Sequence, residues 1–161
     1  MTSENAIVAG FGANEWAKMT TQTLEGSVID RAFLAAHLLT GSLEQAESAV
    51  LGAIASWAPG GSEDELLEHV LHAAVRRGGS GQSSASDAPE AALPAALQAV
   101  LRLAILPRHC YVLRVLVGLP RQVCASLLRL SFERLDYFTC TALKGLPLLA
   151  EPRAAGTEYS A

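Results

Sequence analysis

The chain has 161 residues, room for one ordinary domain or two small ones, and half of them are hydrophobic, which excludes wholesale disorder. Ala and Leu outnumber Val, Ile and the aromatics, a balance that favours helices over strands. The net charge of −4 conceals an asymmetry: residues 1–99 hold 4 basic and 12 acidic side chains, whereas residues 100–146 hold 7 basic and 2 acidic. A basic C-terminal half suits an anionic partner such as nucleic acid; the alternatives are a solvated surface or a patch that docks on the acidic half.

No secretory signal is expected, because the apolar stretch 6–13 is broken by Gly10 and Gly12 and follows no basic segment. No membrane span is expected either, since Arg102, Arg108 and Arg114 interrupt the most apolar region. Three cysteines, Cys110, Cys124 and Cys140, without a signal read as reduced thiols of a cytoplasmic protein.

In chain order, residues 1–23 carry little pattern beyond a helical turn at 15–19. The spacing of Val28, Ala32, Phe33 and Ala36 predicts a first helix over 25–39, stopped by Gly41. Ser42 with Gln45 three residues on forms a capping box for a second helix, whose buried stripe is Ala46, Val50, Ala53, Ile54 and Trp57. Pro59-Gly60-Gly61 ends it. Ser62 with Glu65 repeats the box, and Leu66, Leu67, Val70, Leu71 and Ala74 give the third helix its apolar face. Arg76 and Arg77 suit the negative end of its dipole before Gly78-Gly79.

The stretch GGSGQSSASDAPE from residue 78 is small, polar and aperiodic, as a linker is. Helix resumes near Pro94 with Leu97, Val100, Leu101, Ala104 and Ile105 on one face. Leu106-Pro107 starts another helix that ends at Gly118. Pro120 opens a short helix to about Leu128, and Ser131 caps a last one that stops at Gly145-Leu146-Pro147. The predicted fold is therefore all-α, with two small helical domains at 24–77 and 93–147, a flexible linker at 78–92 and a disordered tail at 148–161.

Residues 106–146 read LPRHCYVLRVLVGLPRQVCASLLRLSFERLDYFTCTALKGL. Leu106-Pro107, Leu113-Arg114, Gly118-Leu119, Ala125, Leu127-Leu128, Leu130-Ser131, Leu135 and Ala142-Leu143-Lys144 stand in gap-free register with the promoter-binding domain of RNA polymerase sigma factors, which this segment resembles. The closest likeness is to the small extracytoplasmic-function group. Thr40-Gly41, Ala46-Glu47, Val50, Ala53 and Trp57 look like that family's polymerase-binding domain. The resemblance implies a helix-turn-helix in the second domain and transcription regulation as the activity. It implies RNA polymerase core, or a sigma or anti-sigma protein, as partner, with weak promoter DNA contact. No enzymatic activity is expected, since no acid–base or nucleophile constellation converges, and no cofactor, metal or membrane attachment is expected either.

Carried onto this chain, the resemblance makes Arg121, Arg129 and Arg134 the phosphate contacts and Tyr137, Thr141 and Lys144 the reading-helix candidates. Four departures matter. Leu51 and Gly52 replace a polar Gln-Glu pair, and the segment WAPGGSEDELLEHVLHAAVRR is short and acidic where the family melts promoters. The reading helix has Asp136, Phe138 and Thr141 where cations are usual, so its charge over 131–145 sums to zero. Arg129 occupies a turn position that often holds Gly; a left-handed backbone there costs a non-Gly residue about 1 kcal/mol. The alternative reading is a protein-interaction module of sigma-factor descent that no longer binds DNA, acting on a sigma or anti-sigma partner.

Other constellations are weaker. Glu65, Glu68, His69 and His72 have helical metal-ligand spacing, but no second ligand cluster accompanies them, and a solvated face with a half-buried His is the default. Cys110 beside His109 could form a nucleophile pair, although adjacent helical residues point apart. Cys124 replaces a core aliphatic residue. GGSGQ lacks the Lys-Ser/Thr ending of a phosphate loop. Tyr137 and Phe138 either face a groove, where they could stack or wedge, or broaden the core or cover a protein contact.

Overall fold

A computed structural model describes residues 27–78 and 93–150. Those residues form seven α-helices, with no strand among them: α1 (Val28–Thr40), α2 (Leu43–Ser56), α3 (Glu63–Gly78), α4 (Ala95–Arg102), α5 (Ile105–Tyr111), α6 (Arg121–Leu128) and α7 (Phe132–Ala150). The expected all-helical class is what the described residues adopt. The expected turn at 15–19, the linker residues 79–92 and the tail residues 151–161 lie outside the described residues.

The caps explain where the first three helices begin and end. Ser27 starts α1, later than the expected residue 25: its hydroxyl accepts from Asp30 N while the Asp30 carboxylate accepts from Ser27 N, a reciprocal box. Gly41 ends α1 in the left-handed region at φ 72°, its N–H bonded to His37 O. Ser42 Oγ accepts from Gln45 N to start α2, and Ser62 and Glu65 exchange both capping bonds ahead of α3.

α1, α2 and α3 pack on one another, while α7 packs on α5, α4 and α6. The two groups also meet: α1 touches α4, α5 and the turn after it, and α3 touches α6. One buried cluster therefore runs from Ala32 through Leu71 to Leu97, Tyr111 and Leu146, across the stretch expected to separate two domains. Ala125 of α6 and Leu135 of α7 are both buried.

Several expectations give way to packing. Ile54 and Ile105, expected in the core, are exposed, while Ala49 is buried in α2. The helix expected to run through residue 105 breaks at Leu103 and Ala104, both with extended ψ, which rotates Ile105 off the buried face. The following helix is not uniformly α: Val112–Leu116 widens into a π turn closed by Val117 N to Val112 O at 2.9 Å. α7 does not stop at Gly145-Leu146-Pro147 but continues to Ala150. Leu146 is fully buried and Gly145 lies close over Leu103, so burial along α4 holds the helical path past the proline.

Candidate nucleic-acid interface

α6 and α7 are joined by the short turn Arg129, Leu130, Ser131. Arg129 is the only described non-glycine residue with positive φ, at φ 54° and ψ 44°, so it takes the left-handed conformation that its position called for. Leu130 N closes back on Ala125 O at 3.0 Å, and Ser131 Oγ accepts from Arg134 N to start α7. The bend thus follows from one strained residue, one main-chain bond and one cap.

α7 buries Leu135, Ala142 and Leu146. Arg134, Tyr137, Thr141 and Lys144, spaced by three, four and three residues, lie on the exposed side of the same helix. Tyr137 is 67% exposed. It stands edge-on to Phe138 at 5.4 Å between ring centroids, and the Arg134 guanidinium lies 5.7 Å from the Phe138 ring centre. Thr141 donates its hydroxyl hydrogen to Tyr137 O within the helix, leaving its oxygen lone pairs outward. Four of the six residues implied by the resemblance therefore share one solvent-facing strip, and Arg129 is exposed at the turn before it.

Arg121 is held differently. It opens α6, forms an ion pair with Asp136 and stacks over the Phe132 ring at 4.7 Å. Asp136, expected to oppose phosphates, is instead turned onto this arginine. The sequence carried no signal for the pair, because its members lie fifteen residues apart on two helices whose crossing sets their distance.

Arg108, another basic side chain of the C-terminal half, is only 8% exposed. Its guanidinium donates to Leu101 O at 3.1 Å and to Leu39 O at 3.4 Å, in the last turns of α4 and α1, where carbonyls lack helical partners. The neighbouring His109, 3% exposed, places Nε2 2.8 Å from the same Leu39 O. A carbonyl only accepts, so Nε2 carries the hydrogen. Two helix C-termini, each a negative dipole end, compensate a buried cation that has no carboxylate partner among the described residues. Burial pulls the Arg108 pKa below its usual value. Burial, then the Arg108 charge, lowers that of His37. For His109 burial lowers it most, the Leu39 bond raises it and the Arg108 charge lowers it again.

The other constellations come apart. His69 and His72 are both exposed, so the half-buried histidine expected there is absent; the buried histidines are His37 and His109. No three His, Cys, Asp or Glu side chains among the described residues converge as metal ligands. Burial, reinforced by nearby Cys124, pushes the Cys110 thiol up to about 12, and His109 is engaged with Leu39, so the two make no nucleophile pair. Cys124 is buried and Cys140 exposed, neither bridged. No helix among the described residues is long and apolar enough to cross a membrane.

The geometry of the described residues is all-helical, with α6 and α7 joined by a tight turn. No protein-family model, no curated protein and no solved structure matches the chain.

Proposed function

We propose that the protein is a sigma-factor-like transcription regulator whose α7 contacts promoter DNA weakly while the α1–α3 region docks on RNA polymerase. The observation that carries this reading is the exposed strip Arg134, Tyr137, Thr141 and Lys144 behind the left-handed Arg129 turn. Arg129, Arg134 and Lys144 supply phosphate contacts, with Arg121 tethered by Asp136 until a phosphate displaces the carboxylate. Tyr137 and Thr141 offer stacking and a hydroxyl but no bidentate base contact, so sequence preference is small.

Titration of the full chain with promoter-like and scrambled duplexes at several salt concentrations tests this. Each neutralised phosphate adds about 0.9 to the slope of log affinity against log salt, so a slope of roughly −2 to −4 is expected. Asp136→Asn releases Arg121 and steepens that slope by about one contact. Tight, sequence-selective binding restores an ordinary promoter reader. Absence of binding at low salt, or binding that Arg134→Ala and Lys144→Ala leave intact, overturns the DNA contact.

That second outcome favours the protein-interaction reading, with a sigma or anti-sigma protein as partner. It draws support from α2, where Leu43, Leu51 and Ile54 line one exposed face, Leu51 being 58% exposed.

A further inference from the structure

Tyr137 on α7 and Leu51 on α2 are the most exposed large hydrophobic side chains among the described residues, at 67% and 58%. Each belongs to an exposed helix face, and the two faces differ in charge. Leu43, Leu51 and Ile54 fall within about a quarter-turn of one another around α2, since a helix advances about 100° per residue. Exposed Glu47 lies between them and exposed Glu44 beside them, and α2 has no basic side chain. The fold uses the opposite side of α2, where Ala46, Ala49, Val50 and Ala53 are buried. Packing of α2 on α1 and α3 therefore needs none of the apolar, acidic stripe.

On α7, Tyr137, Thr141 and Lys144 share the exposed side with Glu133, and Arg134 and Arg129 flank them. Three cations against one carboxylate leave this face at +2, because Asp136 is neutralised by Arg121. The stripes match in length as well as in sign: Leu43 to Ile54 covers about 16 Å of helix axis and Arg134 to Lys144 about 15 Å. Both faces are open in the same copy, so they do not satisfy each other within it. Like faces are poorly suited to pair, since α2 on α2 brings four carboxylates together and α7 on α7 brings cations together.

We propose that the α7 face of one copy docks on the α2 face of a second copy, head to tail. Tyr137 supplies the aromatic anchor against Leu43, Leu51 and Ile54, and the cations of α7 meet Glu44 and Glu47 at the rim. One helix on one helix is a small interface of the transient kind, so association needs high protein concentration. A head-to-tail contact leaves one α2 face and one α7 face open at the ends, so it adds further copies unless a ring closes. It also covers the strip assigned above to DNA, so assembly and DNA contact exclude each other. Association itself requires no DNA contact and stands or falls apart from the transcription reading.

The experiment is sedimentation velocity of the full chain without DNA, up to about 1 mM and at low and high sodium chloride. It is repeated on Leu43→Asp/Leu51→Asp, on Tyr137→Glu/Lys144→Glu, and on an equimolar mixture of the two. All four positions are exposed, so neither variant opens the core. The parent's average mass should rise with concentration and fall with salt, and each variant alone should associate about tenfold more weakly or not at all. The mixture should recover association but stop at two copies, because each variant keeps one intact face and the two altered faces are both acidic. A parent that stays monomeric, or whose association salt leaves unchanged, overturns the proposal. Loss in only one variant overturns it by showing a symmetric contact between like faces, and a mixture that stays monomeric overturns it as well.

Discussion

At the scale of single residues, two backbone positions are tuned in opposite senses. Arg129 holds a left-handed conformation that only glycine adopts without cost, so Arg129→Gly should stabilise the fold by about 0.5–1 kcal/mol in chemical denaturation. If Arg129 reaches a phosphate, the same variant weakens DNA binding while raising stability, a combination no unfolding artefact produces. Gly78 is the converse case. It ends α3, where a glycine is ordinarily the weaker helix former, yet a Cβ there would lie 2.6 Å from Leu39 O and 2.9 Å from His109 Nε2. Gly78→Ala should therefore destabilise by about 1–3 kcal/mol, the usual cost of overpacking, against its helix propensity. A thermal shift upward for that variant would show that α1, α3 and α5 do not meet this closely.

At the scale of elements, the junction of α1 and α5 is a pH-sensitive joint. His37 on α1 and His109 on α5 flank Arg108, and both have pKa values below the ordinary 6.5. In the unfolded chain each regains that ordinary value, so between the lowered folded value and 6.5 the unfolded state binds more protons. The stabilisation is complete above about pH 6.5 and is lost as pH falls below it. Each histidine contributes a slope of up to about 1.4 kcal/mol per pH unit within that window. Denaturation midpoints measured from pH 7.5 down to 5.5 should be flat and then fall. His109→Gln, whose amide can still donate to Leu39 O, should remove part of the fall. A midpoint that rises on acidification would contradict the burial of both rings.

At the scale of the whole molecule, the stretch 79–92 reads as a boundary while the buried cluster does not stop there. Arg108 and His109 reach Leu39 across about seventy positions of sequence, and α3 meets α6. Protease should cut first in 79–92, where small polar residues are concentrated. The two products should then stay associated through the shared core and coelute on gel filtration until denaturant is added. Products that separate without denaturant would mean two independent domains, as the linker composition suggests.

What the sequence determined by itself was local. Helix starts at Ser42 and Ser62 and the stop at Gly41 depend on neighbours within a few residues, and patterning reads such neighbours well; Arg129 was singled out only through the family resemblance. The resemblance singled out Arg134, Tyr137, Thr141 and Lys144, and their helical spacing is what puts them on one face of α7. Tertiary structure decided everything that depends on two helices crossing. It turned Asp136 onto Arg121, buried Arg108 in a joint between two helix C-termini, and carried α7 past Pro147 because Leu146 is buried. A charge's environment is set by distances of a few ångströms between elements far apart in the chain, and no pattern along the sequence encodes them.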